Sequence, residues 1–245
     1  AASDVYKRQV IVGKKLNRTE AGEVIYENGL PTFDDKVSVL GNGNYDFTLG
    51  FRNAFSYKNL SMSVLVDMKF GADVYSMSKM QSHVNGTSKE TLEGREGWYA
   101  SEQARLSANV DAKDWTPTGG YVGKGVKAVT DADGNVSYVP NDVYVDPAKY
   151  WQALQNSSPE PFICDNSFVK LREVSLSYSC PKKWFVHTPI ESVTLSAYGR
   201  NLLLIYSKVD NIDPESSYNN GNGQGFEYGS LPSRRTFGFG INVKF

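Results

Sequence analysis

The chain has 245 residues, with 26 basic and 27 acidic side chains, a formal net charge of -1 and a mean hydropathy of -0.42. That balance excludes the basic footprint of a nucleic-acid binder, and with no run of about 18 apolar residues a transmembrane helix is not expected. Composition leans to β structure, with 15 Tyr, 12 Phe and 22 Gly, and leaves open membrane strands, which alternate and so look half polar.

Asp4-Val5-Tyr6-Lys7-Arg8-Gln9 resembles a translated sequencing adapter, so residues 1–9 are expected to be non-native and native sequence to start near Val10. Val10 to Tyr45 is turn-rich, with signals at Glu27-Asn28-Gly29-Leu30-Pro31 and Gly41-Asn42-Gly43-Asn44. Alternation then predicts a strand over 46–57, with Phe47, Leu49, Phe51, Phe55 and Tyr57 on one face. Lys58-Asn59 is a tight turn into a second strand over 60–71. There Leu60, Met62, Val64, Val66, Met68 and Phe70 face Ser61, Ser63, Asp67 and Lys69 across the strand. Eleven or so residues at about 3.3 Å each and about 45° tilt cross about 25 Å, the height of an outer-membrane apolar band.

Residues 72–166 read as one long loop carrying Trp98, Trp115 and Trp151, with short helices in 90–103 and 147–154 and a small hairpin around Asp133-Gly134. A third strand spans 167–179, where Val174, Leu176 and Tyr178 form an apolar row that Lys170 and Arg172 continue with the same parity. A connector over 180–189 holds Trp184 and Phe185. A fourth strand follows over 190–201, with Val193, Leu195 and Ala197 opposite Thr194, Ser196 and Arg200. After a Gly- and Asn-rich loop over 202–233, the last strand covers 234–245. Its Phe237, Phe239, Ile241, Val243 and Phe245 alternate with Thr236, Gly238, Gly240, Asn242 and Lys244.

Long and short connections therefore alternate. If the carboxy end is periplasmic, the loops 72–166 and 202–233 both fall outside, as in outer-membrane barrels. The alternative is a soluble or surface β-rich glycan-binding protein that uses the same apolar rows as a core. Strand length favours the barrel, since globular strands average about five or six residues.

Few residues suggest chemistry. His83 and His187 have no catalytic neighbours in sequence, so no enzyme is expected, and no cofactor or metal either. Asp131-Ala132-Asp133-Gly134-Asn135 has its glycine at the fourth place rather than the sixth of a calcium loop, and an Asp-Gly turn explains it. Cys164 and Cys180 sit at opposite ends of the third strand, too far apart to bridge.

Several stretches together resemble the SusC/RagA-type TonB-dependent outer-membrane proteins. They are Leu40-Gly41-Asn42, Asp46 to Phe51, Tyr57 to Leu60, Asn166 to Tyr178 with Pro181-Lys182-Lys183, Gly199-Arg200-Asn201-Leu202, Asn211 to Glu215, Gly221 to Pro232 and Arg235 to Phe245. The resemblance covers most of 37–71 and 164–245. It implies an all-β fold: about five long antiparallel strands from the carboxy-terminal part of a large transmembrane barrel of about 22 strands, whose long outer loops carry short helices. The implied function is import of oligosaccharides or peptides. The implied partners are a SusD-like surface lipoprotein, the TonB complex acting through an upstream plug, and the barrel insertion machinery. Candidate substrate or lid contacts are Trp98, Trp115 and Trp151 in the first outer loop and Asn222, Gln224 and Tyr228 in the second. The row Phe237, Phe239, Ile241, Val243, Phe245 is expected to face lipid and to guide assembly.

Overall fold

The computed structural model describes residues 10–216 and 225–245, so the adapter-like stretch and the candidates Asn222 and Gln224 lie outside the described residues. The chain divides into two compact units, 42–74 with 164–245 and 10–41 with 75–163. In chain order the strands begin with β1 (Val10–Leu16), β2 (Ile25–Glu27), β3 (Leu30–Pro31), β4 (Phe33–Asn42), β5 (Phe47–Tyr57), β6 (Leu60–Phe70) and β7 (Asp73–Ser76). They continue with β8 (Val126–Thr130), β9 (Val136–Pro140), β10 (Ile163–Asp165), β11 (Phe168–Ser179), β12 (Ser192–Ser207), β13 (Phe226–Glu227) and β14 (Thr236–Lys244). Among the described residues three α-helices join them, α1 (Met77–Val84), α2 (Arg95–Ser107) and α3 (Pro147–Ser157).

The first unit is a five-stranded antiparallel sheet in the order β14-β12-β11-β6-β5. Its five members are the five strands that the alternation predicts. Across each ladder the apolar residues pair with one another: Phe51 with Val66, Leu176 with Met62 and with Ala197, Leu195 with Ile241. Period-two alternation therefore survives as one continuous apolar face and one small, polar face.

Two boundaries differ from expectation. The fourth strand continues through Leu202–Ser207, residues expected in a loop, because Leu203, Leu204, Tyr206 and Ser207 pair with β11, and Ile205 and Tyr206 are good strand formers. The faces of β11 also depart from strict alternation. Its pairing shifts between Leu171 and Glu173 on both sides: against β6 Arg172 is an extra residue, while against β12 two residues, Asn201 and Leu202, lie opposite it. Below the shift Val174, Leu176 and Tyr178 hold the apolar face; above it Leu171 and Val169 do, opposite Val66 and Met68. Lys170 pairs with Asp67 and falls on the polar face, not on the parity of Val174.

The second unit is not a loose loop. Residues 75–163 join 10–41 around a core of Tyr26, Met80, Tyr121, Tyr150, Trp151, Leu154 and Phe162. A four-stranded sheet, β3-β2-β8-β9, with β2 and β8 parallel, and the pair β1-β4 complete it. Helix α1 was not expected from the sequence; Ser76 starts it by accepting the Lys79 amide at 3.0 Å. Asp146 caps α3 by accepting from Ala148 at 2.9 Å, and Pro147 occupies its first turn. The Asp133-Gly134 turn is held by Asp131, whose Oδ1 accepts from the Asp133 and Asn135 amides. Neither cysteine forms a disulfide among the described residues.

Candidate functional site

On the apolar face of the first unit the side chains stand in the open. Phe237, Phe239 and Ile241 are 69%, 88% and 72% exposed, and Phe47, Leu49, Phe51, Phe55, Leu176, Leu195 and Leu203 are exposed as well. Among the described residues of this unit no second layer covers them. Soluble monomers rarely leave so large an apolar surface uncovered.

The opposite face carries a compact ionic network. Lys69, Lys170 and Arg172 meet Asp67, Asp213 and Glu215. Lys170 is only 3% exposed, and its Nζ donates to Glu215 at 2.8 Å and to Ser233 at 2.7 Å. Arg172 donates to Asp67 at 2.6 Å, to both Glu215 oxygens and to Asn201 at 2.7 Å. Asp213 also accepts from the amide and hydroxyl of Ser233. The bulge that turns Lys170 and Arg172 onto this face thus clamps both ends of the 208–233 segment to the sheet. Burial pushes the Asp213 and Glu215 carboxyls up. Hydrogen bonds from Ser233 to the first and from Arg172 and Lys170 to the second outweigh it and hold both below their ordinary values.

Beside the network lies a cavity of about 370 Å³ lined in part by Tyr45, Lys69, Asp73, Asn166, Glu215 and Gly225. Asn166 donates to the Tyr45 hydroxyl at 2.9 Å and to the Pro214 carbonyl at 2.8 Å, while its Oδ1 is buried without a partner among the described residues. Burial first, then the charges of Glu215 and Asp67, push the Tyr45 hydroxyl up to about 12.

In the second unit, α1, α2 and α3 enclose a cavity of about 310 Å³ that includes both Trp98 and Trp151 in its lining. Two of the three tryptophans singled out in the sequence therefore converge. Trp115 does not join them; its indole donates to Ser101 Oγ at 3.1 Å, a packing role. Trp151 is buried against His83, with ring centroids 4.5 Å apart, and its own N–H has no partner. An orphaned buried donor costs about 1–3 kcal/mol. His83, 3% exposed, meets the Lys79 carbonyl through Nδ1 and Glu90 through Nε2, each at 2.8 Å. The His83 hydrogen bond holds the Glu90 carboxyl below its ordinary value. Tyr228, the remaining described candidate, is exposed in the first unit.

No family model matches the chain. Two curated relatives do: TonB-dependent receptor P3 of Formosa agariphila is 27% identical over 222 residues, 88% of this chain and 18% of the relative. TonB-dependent receptor P26 of the same organism is 29% identical over 249 residues, 100% of this chain and 21% of the relative. The chain is a relative of the TonB-dependent receptors. It spans about a fifth of the length of those it matches. Among solved structures, a chain of the RagAB peptide transporter aligns over 96% of this chain and 23% of its own, at 16% identity and a TM-score of 0.54. The RagAB peptide importer in its closed-closed state aligns with a TM-score of 0.56 at 15% identity over 96% of this chain and 23% of that one. The mostly β arrangement with a few helices is thus shared with part of a TonB-dependent importer.

Proposed function

We propose that this chain is part of an outer-membrane importer of the SusC/RagA type. It supplies five adjacent wall strands of a barrel of about 22, with 72–166 and 208–233 on the outer side. The exposed apolar face carries this reading. Phe237, Phe239 and Ile241 stand 69%, 88% and 72% exposed on a sheet whose other face is small, polar and ionic. Lipid is the environment that removes the cost of that surface. β5 and β6, each 11 residues long, have the length to cross the apolar layer. The TonB-dependent receptor relatives and the likeness to the RagAB peptide transporter support an importer, with oligosaccharides or peptides as its cargo in this reading. In this reading a SusD-like lipoprotein covers the outer mouth, and TonB acts through a plug in the rest of the full-length protein.

The test is to tag the full-length receptor, fractionate the cells, and compare uptake of labelled oligosaccharides and peptides with that of a deletion strain. Outer-membrane recovery and receptor-dependent uptake are expected. Recovery as a soluble protein would favour a glycan-binding β protein instead and overturn the importer.

A further inference from the structure

The helical cavity of the second unit holds groups that its own fold leaves unused. Arg95 donates through Nε and Nη2 to the Thr91 carbonyl, the Thr91 hydroxyl and the Gly86 carbonyl, which fixes the guanidinium plane; its Nη1 makes no hydrogen bond among the described residues. Asp146 uses Oδ1 for the α3 cap and keeps Oδ2 free. Trp98 is half-buried and its indole N–H is likewise unused, and the lining residue Trp151 carries a buried N–H without a partner. Donor, acceptor and aromatic surface thus line one cavity and are held there by helices rather than by mobile side chains alone.

We propose that this cavity binds a neutral sugar ring of an oligosaccharide, its apolar face on Trp98 and its hydroxyls on Arg95 and Asp146. This rests on the importer reading and gives it a substrate class. A sugar hydroxyl both donates and accepts, so neighbouring hydroxyls match a fixed guanidinium and carboxylate. The aromatic ring supplies the flat apolar contact. The lining carries one cation, Arg95, and one carboxylate, Asp146, whose formal charges offset each other, so neither sign of ionic ligand is favoured by them. The lining comes from α1, α2, α3 and their adjoining turns, with no strand edge onto which a peptide could add as a further strand. The volume, about 310 Å³, lies at the small end of ligand pockets and suits a short stretch of glycan.

The experiment uses the full-length receptor purified in detergent from outer membranes. Calorimetric titration with cellohexaose, mannohexaose, xylohexaose and laminarihexaose is set beside polygalacturonate and a casein digest. Trp98→Ala removes the platform. Asp146→Asn removes the charge but keeps a good helix cap, so it tests the site even where Trp98→Ala fails to fold. At least one neutral hexasaccharide is expected to bind, and each folded variant to lose tenfold or more in affinity. Wild-type binding of none of them, unchanged binding in the variants, or loss of peptide rather than sugar binding would each overturn the proposal. Cellular uptake is read separately. An importer that still transports, with unaltered binding in both variants, refutes the cavity assignment alone; absence of receptor-dependent uptake refutes the importer itself.

Discussion

Tyr198 lies over Gly238, its ladder partner on β14, and an added Cβ at Gly238 would overlap the Tyr198 ring. The Arg200 guanidinium sits 5.1 Å from the centre of the same ring. The glycine in the terminal alternation is therefore the floor on which a polar-face aromatic rests. Gly238→Ala is expected to destabilise the receptor by about 1–3 kcal/mol through overpacking. In a Tyr198→Ala background the same change should cost little, because the shared spot is empty. Urea unfolding of the four proteins in detergent decides it; strictly additive costs would refute the contact.

Lys170 is the second target. Lys170→Met leaves Asp213 and Glu215 without their buried partner and should cost about 3–5 kcal/mol. Lys208 pairs with Asp165 at 2.6 Å, but both side chains are well exposed. Lys208→Met should therefore cost far less than Lys170→Met. Similar losses for the two variants would show that the Lys170 network is not a buried clamp.

The network also sets a pH dependence. Glu215 and Asp213 have folded values below their ordinary 4.5 and 3.8. Such groups add stability above the unfolded value and lose it as pH falls through the lower folded one. Wild type should therefore unfold at a higher temperature than Glu215→Gln near neutral pH. The gap should begin to close as pH falls below the ordinary glutamate value of 4.5 and vanish below the lower folded one, where Glu215 becomes a neutral acid like glutamine. A gap constant from neutral pH to about pH 3 would contradict the assignment.

The two faces can be told apart directly. Val64 pairs with Val174 and Asn53 on the apolar face, and Ser63 with Ser175 and Ala54 on the polar one. Val64→Arg near mid-membrane should cost about 2–4 kcal/mol in the full-length receptor, and Ser63→Arg far less. Equal costs in refolding from urea into lipid would reverse or abolish the proposed orientation.

Much of the sheet was legible because alternation is written locally. Each of the five rows can be read within a dozen residues, and Lys58-Asn59 marks its own turn. The helical unit was not. Its core joins Tyr26 to Tyr150, whose hydroxyls lie 3.3 Å apart across 124 residues of chain, and no local pattern announces such a contact. Trp98 and Trp151 stood out as loop aromatics, but their convergence on one cavity depends on how α2 and α3 pack. Arg95 and Asp146 gave no signal, since a lone charge in a polar loop is ordinary. Lys170 and Arg172 were visible yet assigned to the wrong parity, because a bulge depends on pairing partners the strand itself does not encode.

That bulge has a consequence for how the chain tolerates change. Drawn straight with Arg172 kept in the ladder, the strand would carry Lys170 out onto the apolar side and Leu171 inward; deleting Arg172 would instead leave both on the faces they now hold. Replacing a side chain there removes a single contact; losing the bulge while keeping its residue exchanges the whole upper half of the strand. In homologous or engineered chains the bulge should thus be dispensable only together with its extra residue.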